Sequence, residues 1–265
     1  MSLFKRILGK RQKGALVVKE PLLYPYGSGD WLAGLSPVVV FAPHPDDETF
    51  GCGGTLLLMA ERGIKLTLVA VTDGSKGCKD QGVDPNHYVE TRMGEFQGIA
   101  KRLGAECLWW GFKDRETSGC ADQVGERAGE LVDTLKPKAV FLPSPWEIHP
   151  DHRVVTQSIL GILQGVETMV VFYEGVVTLR PNLLVDISSV AREKMELMLS
   201  YSSQVETLPY HLAIEGLNRH RTLTLPSSVA AEAFVVLPPE QARELLLLVR
   251  ESERLLLPAT LDKGR

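Results

Sequence analysis

Five short, largely apolar runs recur along the chain, and they restrict its fold more than any other feature. The first, Val38-Val39-Val40-Phe41-Ala42, has no polar residue at all. Lys65 to Val71, Glu106 to Trp110, Ala139 to Leu142 and Met169 to Phe172 follow the same theme. A strand without polar alternation is one covered on both faces. Between these runs lie segments of helical length. One runs from about Gly53 to Arg62 and stops at Gly63; a second runs from about Tyr88 to Leu103 and stops at Gly104. A third lies near Ala121 to Leu135, and a fourth begins near Pro150. Alternation of this kind predicts βαβ units and a parallel sheet.

The expected fold is therefore α/β, Rossmann-like and doubly wound: a mostly parallel sheet, strand order 3-2-1-4-5, with helices on both faces. Beyond residue 180 the pattern becomes mixed. Leu183 to Ile187 and Phe234 to Leu237 read as strands, and 189–200, 210–221 and Glu240 to Leu256 as helices. Residues 1–36 are punctuated by Pro and Gly and read as an N-terminal extension. Residues 37–265 read as a single domain with a C-terminal elaboration.

Composition excludes several functions. The chain has 265 residues, 33 acidic against 29 Lys and Arg, for a net charge of -4. Nucleic-acid binding needs a basic excess, so it is not expected. The 4 cysteines form no close C-x-x-C pair, which speaks against a zinc finger or a redox motif and suits a reducing, cytoplasmic setting. No apolar run reaches the roughly 18–20 residues of a transmembrane span. The opening MSLFKRILGKRQKG lacks the apolar core of a signal peptide. It reads as a frayed basic terminus, with contact to an anionic membrane surface as the lesser alternative.

Two polar strings interrupt this pattern at corresponding places. His44-Pro45-Asp46-Asp47-Glu48 directly follows the first strand, and His149-Pro150-Asp151-His152 follows the fourth. In a 3-2-1-4-5 sheet those strands are neighbours across the reversal of strand order, where ligands bind beyond the carboxyl ends. Either string alone would suit a turn, because Pro fixes φ and Asp caps helices. Together they carry the donor set of a catalytic zinc site: three protein ligands and one open position. His44, Asp47 and His152 supply two nitrogens and an oxygen. Asp46, adjacent to a ligand, is the candidate general base. His149 is then free to stabilise an oxyanion as an imidazolium, oriented by Asp151, which would raise its pKa.

At these residues the chain resembles the LmbE-like, or PIG-L, family of zinc-dependent N-acetylglucosaminyl deacetylases. The resemblance covers roughly residues 37–236. It rests on Ala42 through Glu48, Gly51-Cys52-Gly53-Gly54-Thr55, Val71-Thr72-Asp73-Gly74, Arg92 through Glu95 and His149 through His152. Tyr201-Ser202-Ser203-Gln204 and Ala231-Glu232-Ala233-Phe234 add weaker support. It implies His44, Asp47 and His152 as ligands of Zn2+ or another divalent ion, Asp46 as base, and His149 with Asp151 as the oxyanion-stabilising pair. It also implies Arg92 and Asp114 as substrate contacts. Trp146-Glu147 departs from the family's usual residues before the second motif.

The reaction so implied is hydrolysis of the acetamide of a small-molecule amino-sugar conjugate, giving acetate and a free amine. Either Asp46 or His149 would protonate the leaving nitrogen. The alternatives are hydrolysis of another amide or an ester at the same ion, or a sugar-binding module without turnover. Gly51-Cys52-Gly53-Gly54 does not complete a dinucleotide fingerprint, since position 56 is Leu56. Spacing alone would make Arg92 and Glu95 a helix-surface pair. Glu48 reads as a support for the ligands, His87, His211 and His220 as non-catalytic, and the leucines at 245–248 as core or a homo-oligomer surface.

Overall fold

The computed structural model describes residues 29–78, 82–206, 208–225, 227–241, 244–249 and 251. Most of the expected N-terminal extension lies outside them. The expected final helix is described in part, with 244–249 helical.

Seven strands form one sheet: β1 (Val38–Ala42), β2 (Leu66–Thr72), β3 (Glu106–Phe112), β4 (Ala139–Pro143), β5 (Met169–Tyr173), β6 (Leu183–Asp186) and β7 (Ala231–Leu237). Their order is β3-β2-β1-β4-β5-β7-β6. The first five are parallel, as expected, with Val40 level with Leu68 on one side and Phe141 on the other. The C-terminal elaboration adds β7 antiparallel to β5, and β6 antiparallel to β7.

The helices are α1 (Asp47–Glu61), α2 (Pro85–Leu103), α3 (Ala121–Leu135), α4 (Pro150–Ile162), α5 (Ala191–Leu199), α6 (Ser202–Val205) and α7 (Tyr210–His220). Strand residues point alternately to opposite faces, and β1 shows how that builds two cores. Val38, Val40 and Ala42 pack with Leu56 and Met59 of α1 and Phe96 and Ile99 of α2. Val39 and Phe41 pack with Val124 and Ala128 of α3 and Val155 and Ile159 of α4. That is the doubly wound arrangement, with both faces of an entirely buried strand covered.

Most boundaries fall within two residues of those expected, and three starts differ by more. Helix α2 starts earlier, because Asp84 caps it by accepting from the Asn86 N–H and Pro85 occupies its first turn. Strand β7 starts at Ala231, since the charge of Glu232 interrupts an otherwise apolar run. Helix α1 starts at Asp47 instead of near Gly53. It contains Gly51, Gly53 and Gly54, poor helix formers, and bends at Cys52, where φ is -143°. The small residues are needed for packing. A Cβ on Gly51 would overlap the Tyr173 ring, and one on Gly54 would come within 2.7 Å of Ile187 Cδ1.

The bend is healed by a buried ion pair. Lys194 of α5 places Nζ 2.7 Å from Glu232 Oε1 and donates to the Phe50 carbonyl over 3.1 Å and to Asn218 Oδ1 over 2.8 Å. The Glu232 carboxylate accepts from the N–H groups of Gly54 and Thr55. It thus acts as an anion at the start of the second half of α1, where backbone N–H groups and the helix dipole favour negative charge.

Candidate metal centre

Strand β1 delivers His44 and the first turn of α1, while β4 leads to the start of α4. The two polar strings consequently meet beyond the carboxyl edge of the sheet, between adjacent strands β1 and β4. His44 Nδ1 lies 3.1 Å from His152 Nε2 and 3.4 Å from Asp47 Oδ2, and His152 Nε2 lies 3.2 Å from the same Asp47 oxygen. Tetrahedral zinc with bonds of about 2.0–2.1 Å holds any two ligand atoms about 3.3 Å apart. The three atoms therefore form a triangle of the size of one face of that tetrahedron. A divalent cation fits these residues.

Each imidazole is backed by a carboxylate on its far side. His44 Nε2 lies 3.2 Å from Asp151 Oδ2 and 3.3 Å from Asp114 Oδ1. His152 Nδ1 is buried without a hydrogen bond, and the equally unpartnered Glu147 Oε2 stands 4.0 Å from it. Carboxylates in this position orient ligand imidazoles and raise their basicity. Burial opposes a charge on His44, yet the carboxylates of Asp114, Asp151 and Asp47 outweigh it and raise its pKa well above the usual imidazole value. The Asp47 carboxyl is driven the other way: burial raises it, but the two histidines hold it well below the ordinary carboxylate range.

Asp46 sits beside the triangle in an unusual conformation, with φ at 146°. Such a backbone costs about 1–3 kcal/mol and persists only when neighbours hold it. Two do so. Glu48 Oε2 accepts from the Asp46 N–H over 3.2 Å, and Arg92 Nη2 donates to Asp46 Oδ2 over 3.1 Å. Glu48 is itself fixed by Tyr201 Oη and Thr49 Oγ1, each donating over 2.6 Å to Oε1. Burial pushes the Asp46 carboxyl up to about 6 despite the Arg92 charge, and pushes Glu48 up to about 7 despite the two hydroxyl donors.

His149 and Asp151 are arranged differently from expectation. The Asp151 carboxylate turns to His44, while its other donors are the Arg115 N–H at 2.7 Å and Thr117 Oγ1 at 2.5 Å. Its distance to His149 Nδ1 is 3.8 Å. That nitrogen instead accepts from the Asp151 backbone N–H over 3.2 Å, capping α4. The pKa of His149 moves down, not up. Burial lowers it, the neighbouring His44 and His152 add to that, and Asp151 and Asp114 only partly compensate. With Nδ1 accepting, the neutral ring keeps its proton on Nε2. His149 nevertheless belongs with the metal-facing group, for it offers a ligand atom within 4.8 Å of those of His44 and His152.

A cavity of about 630 Å³ opens over these residues, lined among others by His44, Asp46, Asp47, His149 and His152. Arg92 and Asp114 line it too. Arg92 is buried, with Nε and Nη1 lacking partners. Asp114 is braced by the Lys76 N–H at 2.9 Å and by Asp73, which accepts from its own N–H at 3.2 Å. Glu95 is no surface partner of Arg92: its carboxylate takes the Ser203 N–H and hydroxyl at the start of α6. His87, His211 and His220 are not among the residues lining the cavity.

Two supports escaped the sequence reading. Glu147, behind His152, stood out only as a departure from a family pattern; the available signal was an acid five residues before a candidate ligand. Asp73, which also pairs with Lys113 Nζ at 2.9 Å, lies in Val71-Thr72-Asp73-Gly74, where only three-dimensional proximity to Asp114 reveals its part.

Comparison with known proteins agrees with this geometry. The family described as PIG-L: GlcNAc-PI de-N-acetylase matches residues 39–163, the segment that holds both polar strings. A diacetylchitobiose deacetylase of Thermococcus kodakarensis is 30% identical over 189 residues, which cover 63% of this chain and 69% of that one. A probable N-acetyl-alpha-D-glucosaminyl L-malate deacetylase 2 of Bacillus cereus is 25% identical over 187 residues, 64% and 84% of the two chains. In three dimensions the N,N'-diacetylchitobiose deacetylase of Pyrococcus horikoshii superimposes with a TM-score of 0.69 at 21% identity, over 80% of this chain and 87% of its own. The donor triangle, the sheet around it and these similarities agree: the chain belongs to the PIG-L, or LmbE-like, family.

Proposed function

We propose that this protein is a zinc-dependent deacetylase that removes the N-acetyl group from an N-acetylglucosamine-type conjugate, giving acetate and a free amine. The observation that carries the proposal is the triangle of His44 Nδ1, Asp47 Oδ2 and His152 Nε2, with edges of 3.1, 3.2 and 3.4 Å, at the floor of a substrate-sized cavity. The relatives' names, which specify acetylated amino sugars, support the substrate class.

His44, Asp47 and His152 would hold a divalent ion, which when bound would supply polarisation of the amide carbonyl and a water whose pKa is lowered to about 7. Asp46 stands beside the triangle without being one of its three donors, so its carboxylate would be free to take the proton of the attacking water. Arg92 fixes the carboxylate's direction, and burial lifts its basicity into the range useful near neutrality. His149 presents its Nε2 proton to the developing oxyanion as a neutral donor, since its surroundings disfavour the charged ring. Asp151 acts through His44, as a positioning residue. The leaving nitrogen receives its proton from Asp46 or from His149. Arg92 and Asp114 contact the sugar from the cavity wall.

The direct test is acetate release from a panel of N-acetylglucosamine conjugates by purified protein of known metal content. Turnover that rises with zinc occupancy supports the reading. Metal-replete protein that binds such conjugates and releases no acetate would overturn it in favour of a binding module. Among the described residues no helix is long and apolar enough to cross a membrane, and a small-molecule substrate reaching an open cleft is consistent with that.

A further inference from the structure

An amphipathic helix ordinarily turns its apolar stripe into the core, and α7 does not. Its only buried residue is Asn218, the partner of Lys194. Its apolar residues Tyr210, Ala213, Ile214 and Leu217, spaced to share one face, line the cavity above the candidate metal centre instead. Phe50, one turn after Asp47, extends this wall with its ring centroid 6.3 Å from that of Tyr210, and Val176, from the loop after β5, lines the same cavity.

Part of this apolar lining is exposed to solvent. Val176 is 66% exposed and Tyr210 44%. Ile148, 67% exposed, belongs to a loop tied to that of Val176 by the Val177 N–H, which donates to Glu147 Oε1 over 3.2 Å. The remaining lining near the metal centre is polar, with Arg92, Asp114, Lys76 and Arg115. The cleft lining thus combines charged side chains with the apolar face of one helix, and part of that apolar lining is open to solvent.

On the basis of the deacetylase reading, we infer that the substrate is an amino-sugar glycoside with an apolar aglycone, an alkyl or acyl chain, which lies along the α7 wall. In an N-acetylglucosaminide the ring carbon that bears the acetamide nitrogen is bonded directly to the anomeric carbon that bears the aglycone. When the acetamide carbonyl meets the donor triangle, the aglycone therefore starts within the same cleft. A sugar offers hydroxyls to the polar lining but little that would pair with Ile214, Leu217 and Phe50. Desolvating that wall becomes favourable only with an apolar ligand group.

The test is a series of methyl, butyl and octyl N-acetylglucosaminides, below their micelle concentrations, assayed with the zinc-loaded full chain for acetate release and for Kd. Each methylene that reaches the wall should raise kcat/KM and tighten binding about three- to fourfold, so the octyl compound should exceed the methyl one by well over tenfold. Leu217→Ser should flatten that dependence. Val176→Ser, on an exposed loop where folding is not at stake, should flatten it in part. Equal kcat/KM along the series overturns the inference and leaves the deacetylase reading intact. Absence of acetate from every member defeats that reading, and the Kd series then still decides whether the wall binds an apolar chain.

Discussion

Asp151 Oδ2 lies 3.2 Å from His44 Nε2, on the side of the ring opposite the nitrogen that faces Asp47 and His152. The carboxylate therefore braces the imidazole of a proposed metal ligand, not that of His149. Carboxylates of this kind typically contribute 10–100-fold to metal affinity. Asp151→Asn should accordingly weaken zinc binding by about that factor, and saturating zinc should recover a substantial part of the lost turnover. Competition against a chromophoric chelator measures the first effect. Unchanged zinc affinity together with a lowered rate would return Asp151 to a role beside His149.

Asp46 carries a different expectation. Its carboxylate is anchored by Arg92 and its backbone by Glu48, so Asp46→Asn can keep the local geometry while removing the proposed base. Metal content should remain that of the parent. The rate of acetate release should fall by about 10²–10⁴, the usual contribution of a positioned proton acceptor. Elemental analysis and a turnover assay on the same preparation check both halves. Full activity in this variant would exclude Asp46 as the base.

Removal of the ion should affect stability as well as activity. A ligand that binds only the folded state stabilises it by about 2.7 kcal/mol at a hundredfold excess over Kd. Without it, the close approach of Asp47, His44 and His152 lacks its central charge. Dialysis against a chelator should lower the melting temperature and abolish acetate release, with both restored by zinc. His152→Ala should already melt near the stripped protein's temperature and show little response to zinc. A melting temperature indifferent to chelator and zinc in the parent protein would contradict a metal held by this triangle.

What could be read from the chain alone followed from locality. Val38–Ala42 advertises a doubly covered strand because every residue in it is apolar, and its neighbours in the sheet follow from the alternation with helices. The convergence of His44, Asp47 and His152 was legible because two short strings, each fixed to the end of one of two adjacent strands, carry all three side chains. The supports were not, because they depend on distance in space. Glu147 serves His152 across a turn whose shape no pattern records. Asp151 lies beside His149 in sequence but spends its carboxylate on His44, from the other string. The start of α1 was misjudged because its glycines, unfavourable in an isolated helix, are dictated by Tyr173 and Ile187 packing against them. Strand β7 begins ahead of its purely apolar stretch because the charge of Glu232 is accommodated in the interior by Lys194, a residue remote in sequence.

That last pair gives a prediction about the scaffold beneath the metal centre. Lys194 and Glu232 are both nearly inaccessible, and between them they take the Phe50 carbonyl and the Gly54 and Thr55 N–H groups at the bend of α1. Replacing one member leaves an uncompensated charge in the interior, which generally costs about 3–5 kcal/mol. Lys194→Met should therefore lower the urea midpoint strongly, and so should Glu232→Leu, which also strands two helix N–H groups. The double variant should lose much less than the sum of the two, because neither charge remains to be buried. Strict additivity in equilibrium unfolding would mean that the two side chains act independently. In that case the bend at Cys52 would have to be held by other contacts, such as the packing of Tyr173 against Gly51 and of Ile187 against Gly54.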